Sequence, residues 1–477
     1  MVFSDTDKPR ISENWRFRND GNCMVIYLHS LQKQVTRVLS PFESIFILLF
    51  DGKNTWAEIK TAAQGIINVS DRQSAEEIEQ ITTELARLDG FFSLEGPRSL
   101  SFDKPMENLI PDFANYTMTP HRMLRPITIA ISFTNRCQCD CIYCYAEREP
   151  CAERSLDEWI PILDEIAENE ITLVDIGGAD IFCRQDALEI MEELDKRKFS
   201  FFVSTKSYIS PRQAQRMADL NIGNKNMPHW ALRPMQVSLD SPDNELASFL
   251  SRHKNYLSKA EATLRNLIKA GISPRVKAVL TSYNADAPLE LVRRLAPIGV
   301  NEFHFVQYSR GLYRHNDKLF LTLEQKKRLI DLERQIKEEF QDIFVFMQKD
   351  ITIGGPRNLA PDIWAKRPIC SGGRTKMLVK PDGAVTLCEQ TPNEPAYIVG
   401  NVFEDGVMGV WNSAAIHQFN YPSRELFQNS ECYNCTDFAR CIYVKGWCFR
   451  DSLACYGTIY EAPLDCPHQT KMPPRAI

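Results

Sequence analysis

Cys137, Cys141 and Cys144 stand at CxxxCxxC spacing within the run SFTNRCQCDCIYCYAERE, and Tyr143 directly precedes the last of them. Three thiolates on one loop can bind three irons of a [4Fe–4S] cube and leave the fourth iron open to a chelating ligand. The other chemistry open to such a spacing is a zinc knuckle. Cys139 and Cys151 fall outside the spacing and read as free thiols. A second set crowds the C-terminal end: Cys370, Cys388, Cys432, Cys435, Cys441, Cys448, Cys455 and Cys466. Gly383 and Cys388 form a G-x4-C step there, and Cys432-x2-Cys435-x5-Cys441 follows. CxxC pairs are common zinc ligands, so spacing alone leaves zinc and iron–sulfur both open for this set.

The chain has 15 cysteines and 8 histidines in 477 residues, an odd number that cannot all pair within one chain. Its N-terminus shows no apolar signal region, and its longest apolar run, Ile45 to Phe50, is far too short to span a bilayer. A cytoplasmic location, with no membrane partner, is the expectation. In that reducing compartment clustered cysteines favour metal over disulfides. The formal net charge of -6 argues against nucleic acid as a partner. With 44% hydrophobic and 25% charged residues the chain can bury real cores, and its length suggests about three domains.

The elements that must position the first cysteine loop are legible. Strand patterns at Ile127–Phe133, Ile171–Ile176, Phe199–Val203, Met235–Leu239, Arg275–Thr281 and Glu302–Gln307 alternate with helical patterns at Leu156–Asn169, Asp186–Lys198, Pro211–Leu220, Tyr256–Ala270 and Pro288–Ala296. Six β–α units predict a parallel α/β sheet with helical crossovers, whose ligands sit at the carboxyl ends of the strands. The cysteine loop follows the first strand. Gly177-Gly178-Ala179-Asp180 follows the second and Ser204-Thr205-Lys206 the third. Ser238-Leu239-Asp240-Ser241 follows the fourth, Thr281 and Asn284 the fifth, and Arg310-Gly311 the sixth. Together they form one polar rim.

Before this alternation lies a smaller module. Met24–Ser30 and Gln34–Leu39 read as a hairpin. Capping boxes at Ser40-Pro41-Phe42-Glu43, Thr55-Trp56-Ala57-Glu58 and Ser74-Ala75-Glu76-Glu77 open three helices, and Phe91–Leu94 is a short closing strand. This is a winged-helix-like pattern, but Glu76, Glu77, Glu79 and Glu84 crowd its last helix, which points away from DNA. The expected boundaries are 1–100 for this module, 101–125 for a linker, 126–345 for the α/β core, 346–369 for a bridge and 370–477 for the cysteine-rich end.

The CxxxCxxC loop with its aromatic, placed at the end of the first strand, resembles the radical SAM family. The C-terminal cysteines, with GNVFEDGVMGVWNS between them, resemble the SPASM domain. The stretch VLSPFESIFILLFDGKNTWAEI with its late acidic helix resembles the PqqD-like peptide-recognition element. These resemblances imply a partial (β/α)6 barrel with an N-terminal winged-helix-like module and a SPASM module. They imply S-adenosylmethionine (SAM) and a [4Fe–4S] cluster held by Cys137, Cys141 and Cys144. Tyr143, Gly177, Gly178, Asp180, Thr205, Ser238, Asp240 and Arg310 are the implied cofactor-binding residues. Ala179 and Asp180 depart from the family's GGE-type turn, which puts a side-chain contact there in doubt. Two auxiliary [4Fe–4S] clusters are implied, one on Cys432, Cys435, Cys441 and Cys466, the other on Cys370, Cys388 and Cys448. Cys455 is either its fourth ligand or a bystander beside an open iron.

The implied activity is hydrogen abstraction by a 5′-deoxyadenosyl radical from a ribosomally made precursor peptide, forming a thioether or carbon–carbon crosslink. The leader of that peptide would bind the N-terminal module as an added strand, and flavodoxin or ferredoxin would supply electrons. Peptide epimerisation, backbone excision and maturation of a folded protein are the alternatives within this chemistry. A zinc-binding winged-helix regulator is the rival from another class.

Overall fold

The structure is a computed structural model of the chain, and it describes residues 3–12, 14–20, 24–29, 34–66, 71–88, 90–94, 96, 122–227, 231–309, 311–348 and 361–471. It divides into two compact units, one comprising Met1–Pro120 with Asn226–Ala231, the other His121–Lys225 with Leu232–Ile477.

In the first unit, β1 (Arg10–Ile11) pairs antiparallel with β5 (Phe92–Ser93), and β2 (Trp15–Asn19), β3 (Met24–His29) and β4 (Gln34–Leu39) form a second antiparallel sheet in that order. The expected hairpin is present, and β1 and β2 extend the reading. Helix α1 (Pro41–Phe46) starts at the Ser40 capping box with Pro41 in its first turn, and α2 (Trp56–Ile66) starts at Thr55, whose side chain pairs with Glu58. Helix α3 (Asp71–Ala86) begins before the expected Ser74. The segment Ser70-Asp71-Arg72-Gln73 has its own S-x-x-Q capping pattern one turn earlier. Ile78, Thr82 and Leu85 form the buried stripe of α3, while Glu76, Glu77 and Glu79 are exposed. An aromatic core of Trp15, Phe46, Phe50, Trp56 and Phe91 holds this unit together. The expected linker lies, from 101 to 121, outside the described residues.

The second unit is built on β6 (Thr128–Ile131), α4 (Leu156–Glu168), β7 (Leu173–Ile176), α5 (Ala187–Lys196), β8 (Ser200–Thr205), α6 (Pro211–Asp219), β9 (Met235–Ser238), α7 (Asn244–Ser251), α8 (Tyr256–Lys269), β10 (Arg275–Leu280), α9 (Pro288–Leu295), β11 (Glu302–Gln307), α10 (Leu323–Glu339) and β12 (Phe344–Met347). Capping boxes at Ser155, Ser210 and Thr322 start α4, α6 and α10. The strands run β12-β11-β10-β9-β8-β7-β6, all parallel. This is the open, partial α/β barrel the alternation predicts. Two further strands continue it: β13 (Lys376–Val379) lies parallel to β6, and β14 (Val385–Thr386) pairs antiparallel with β13. The cysteine-rich segment is therefore stitched to the barrel through the strand that feeds the first cysteine loop. Trp159 of α4 reinforces the join, fully buried between Phe133 at 5.1 Å and Phe403 at 4.9 Å. Short helices follow: α11 (Pro361–Ala365), α12 (Val402–Asp405), α13 (Val407–Trp411), α14 (Ala414–Asn420) and α15 (Phe449–Tyr456). Among the described residues no helix is long and apolar enough to cross a membrane.

Candidate active site and cysteine clusters

The chain leaves β6 and turns through the CxxxCxxC loop at the carboxyl end of the barrel. Hydrogen bonds fix this loop from several sides. Arg148 donates to the carbonyls of Cys137 and Cys139 at 3.1 Å each, and Arg314 donates to the Asp140 carbonyl at 3.0 Å. The amides of Asp140 and Ile142 donate to Ser251 and Leu250 of α7 at 3.0 Å each. Cys139, outside the spacing, is buried, and its amide lies 3.4 Å from the Cys137 sulfur. Its thiol hydrogen-bonds the Cys137 and Cys141 sulfurs, drawing the first down to about 6 and lowering the second against the effect of burial. Burial pushes Cys144 up.

Cys137, Cys141 and Cys144 line one cavity of about 440 Å3, together with Tyr143, Gly177, Gly178, Thr205, Lys206 and Ser238. Gly178 has φ +82°, and a Cβ there would fall 1.9 Å from the Ser132 hydroxyl. Only glycine fits that turn. Asp180 is 2% exposed and borders the same cavity, but its carboxylate is bonded to the surrounding protein. It caps Phe182 at 3.1 Å and accepts from the Thr205 hydroxyl at 2.9 Å, the Lys206 amide at 2.9 Å and the Ser207 amide at 3.0 Å. Asp180 and Thr205 thus commit their polar atoms to one another and lock the end of β7 to the end of β8.

Asp240 is the centre of a second lock. It accepts from the Val279 amide at 2.9 Å, the Lys206 ammonium at 3.0 Å and the Tyr143 hydroxyl. Burial opposes the charge on Lys206, but Asp240, Tyr143, Tyr256 and Cys141 together outweigh it and hold the ammonium well above its usual range. The Lys206 ammonium also sits 4.9 Å from the Tyr256 ring, and the Tyr256 hydroxyl donates to the Ser238 carbonyl. Thr281 and Asn284 bond each other at 2.7 Å, and Asn284 donates to the Asp240 carbonyl at 2.8 Å. Arg310 lies outside the described residues.

The sequence puts Lys206 on the polar rim but gives no sign of its role, nor of Tyr256, Arg148 and Arg314 as parts of this arrangement. It also missed the charged barrel interior, where Lys277 and Glu389 line the cavity and Lys376 pairs with Asp175 at 2.8 Å. The strand RVKAVL carried a signal: its charges alternate with apolar residues, which puts Arg275 and Lys277 on one face.

In the C-terminal segment two groups of thiols separate. Burial raises Cys370, Cys388 and Cys448, and proximity to Cys370 adds to the rise at the other two. Burial likewise pushes Cys432 up to about 12 and Cys466 to about 11, with neighbouring Cys435 and Cys441 contributing. Cys441 lies on a π-helical turn, Arg440–Lys445. Arg374, 1% exposed, pins that turn by donating to the Ile442 carbonyl at 2.7 Å. Cys455 is buried within α15. Among the described residues no three His, Cys, Asp or Glu side chains converge tightly enough for a single metal ion.

Comparison with known proteins places this geometry. Residues 131–284 match the Radical SAM superfamily, and residues 370–436 match the SPASM iron-sulfur cluster-binding domain. The antilisterial bacteriocin subtilosin biosynthesis protein AlbA of Bacillus subtilis is 22% identical over 61% of this chain and 61% of its own length. The mycofactocin maturase MftC of Mycolicibacterium smegmatis is 25% identical over 68% of this chain and 78% of its own. Among solved structures, Streptococcus suis SuiB bound to SAM superposes with a TM-score of 0.63 at 17% identity, over 95% of this chain and 98% of that one. SuiB bound to its precursor peptide SuiA gives 0.61 at 16% identity, over 97% and 99%. The chain therefore carries a radical SAM domain followed by a SPASM domain.

Proposed function

We propose that this chain is a SAM-dependent iron–sulfur enzyme that modifies a ribosomally synthesised precursor peptide, forming a thioether or carbon–carbon crosslink. The observation that carries the reading is the convergence of Cys137, Cys141 and Cys144 on one cavity beside the Gly177-Gly178 turn. The donor set fits a [4Fe–4S] cluster: three thiols come from one braced loop, two of them with lowered proton affinity. When bound, the cluster and SAM supply a one-electron reductive cleavage and a carbon radical able to take hydrogen from an unactivated carbon. The protein's own residues bind, orient and exclude water. Gly178 lets the turn pack against Ser132, Gly177 admits a ligand close to the main chain, Ser238 and Lys206 border it, and Asp180, Thr205 and Asp240 hold these strand ends in place.

Cys432, Cys435, Cys441 and Cys466 would hold one auxiliary cluster, and Cys370, Cys388 and Cys448 the other, with Cys455 as the undecided fourth donor. An auxiliary iron left open there would suit capture of a substrate thiolate, which supports the thioether outcome. The first unit would act as a PqqD-like element that binds the leader. Relatives named for subtilosin and mycofactocin maturation, and SuiB solved with a precursor peptide, support a peptide substrate. The exposed acidic residues of α3 oppose the regulator reading. Cytoplasmic location and a flavodoxin or ferredoxin donor complete the proposal.

The test is anaerobic co-expression with a short peptide encoded beside this chain, followed by mass spectrometry. Loss of two hydrogens fits a crosslink, deuterium uptake at constant composition fits epimerisation, and a shortened backbone fits excision. Iron and sulfide should be bound at all three thiol sets, with Cys141→Ala abolishing modification. A zinc protein without iron, or a modifying Cys141→Ala variant, would end the proposal.

A further inference from the structure

The outer side of the cysteine loop carries an aromatic and basic surface. A depression beside Ile142 is bounded by Phe249, Tyr283, Arg252 and Arg314. Phe249 is 50% and Tyr283 48% exposed, and their rings meet edge to face at 5.3 Å. Scattered exposed aromatics need no explanation, but a packed exposed pair between guanidiniums has the composition of a protein–protein contact. Arg252, at 3.0 Å, and Arg314 both pair with Asp140, so two guanidiniums face one carboxylate. Lys254 is exposed close by. Asp317, 3.0 Å from His315 on the rim, is a second carboxylate, so Arg252, Arg314 and Lys254 leave the patch with a small cationic excess on a chain whose formal net charge is -6.

Its position is as telling as its charge. The Asp140 and Ile142 amides bond the last residues of α7 at 3.0 Å. The patch thus lies directly against the backbone on either side of Cys141. Electron transfer weakens steeply with distance, so an electron bound for this loop enters best through the nearest surface.

We propose that this patch docks an acidic one-electron carrier protein, which reduces the iron–sulfur site of the cysteine loop. The inference rests on the cluster assignment to Cys137, Cys141 and Cys144. The carrier is oxidised by one electron, the cluster is reduced by one, and no bond or proton changes hands at the patch. Complementary charge steers such encounters and makes them sensitive to salt.

The test uses reconstituted holoenzyme under anaerobic conditions. Stopped-flow reduction by flavodoxin hydroquinone is compared with reduction by photoreduced deazariboflavin, a small uncharged donor that needs no docking site. Lys254→Glu alone, and combined with Tyr283→Ser, should slow the flavodoxin reaction several-fold to tenfold and flatten its salt dependence. The deazariboflavin rate should stay at the wild-type value. Equal flavodoxin rates in wild type and variants, or equal losses with both donors, would overturn the proposal. So would variants that lose affinity for the precursor peptide while keeping flavodoxin reduction, since the patch would then belong to the peptide. A wild-type protein that deazariboflavin cannot reduce would instead remove the cluster assignment itself.

Discussion

At the scale of single residues, Asp180 borders the cavity at the turn where the resemblance leaves a side-chain contact in doubt, and its carboxylate bonds the protein's own groups. Replacing it by alanine orphans the Phe182 and Lys206 amides and the Thr205 and Ser207 hydroxyls, all close to a buried carboxylate. Unsatisfied buried donors cost about 1–3 kcal/mol each, so Asp180→Ala should lose about 3 kcal/mol or more. SAM affinity should fall with it, because the ends of β7 and β8 would part. Urea unfolding and SAM titration check this; unchanged values in both would mean the bracket is idle. Glu302 offers a pH-dependent case. Burial raises its carboxyl, but His304 and Lys225, each 3.0 Å away, outweigh that and hold it at about 2. The folded value lies below the unfolded one, so the stabilisation is complete above the ordinary carboxylate range and is lost as pH falls towards 2. Glu302→Gln should cost about 2 kcal/mol at pH 7, discounted for partial exposure, and the gap to wild type should narrow by roughly 0.7 kcal/mol at pH 4. A gap that holds or widens in urea midpoints at the two pH values contradicts the assignment.

At the scale of elements, the turn after β7 separates folding from binding. An alanine at Gly178 would place its Cβ 1.9 Å from the Ser132 hydroxyl at φ +82°, whereas at Gly177 the nearest atoms are Glu389 Oε1 at 3.8 Å and Leu378 Cδ1 at 3.9 Å. Left-handed strain and overpacking together make Gly178→Ala cost about 2–4 kcal/mol. Gly177→Ala should melt like wild type yet bind SAM at least tenfold more weakly, because its methyl group enters the cavity. If Gly177→Ala binds normally, no ligand approaches that main chain. The same elements show what the sequence could tell. Strands such as β6, TIAI, are buried on both faces and read as apolar runs bounded by turns. The start of α3 was misplaced by one turn because two capping patterns follow each other. Strand β13 is short, and its partner β6 lies far back in the chain, so no local signal announces their pairing. The Lys206–Asp240–Tyr143 lock was hidden for the same reason: the residue types are visible, but barrel closure brings them together.

At the scale of the whole molecule, the proposed function gives recognition and chemistry to separate units, and that proposal makes a quantitative demand. The first unit has its own aromatic core, and in its three-stranded sheet, of order β2-β3-β4, β4 is an edge strand. An edge strand presents unpaired backbone groups that an extended peptide can join, and main-chain hydrogen bonds tolerate varied side chains. A leader held there turns the encounter between the modified segment and the radical site into an intramolecular event. Such linkage raises apparent affinity by about 10²–10⁴ without any new contact at the reacting residue. A core peptide without its leader should therefore show kcat/KM lower by about 100-fold or more, chiefly through KM, while SAM cleavage in the absence of peptide is unaffected. Free leader added separately should restore only part of the loss, since it occupies the sheet edge without tethering the core. Timed mass spectrometry of both peptides over a concentration series measures this. Equal turnover with and without the leader would assign the first unit another purpose and leave the cysteine sites untouched.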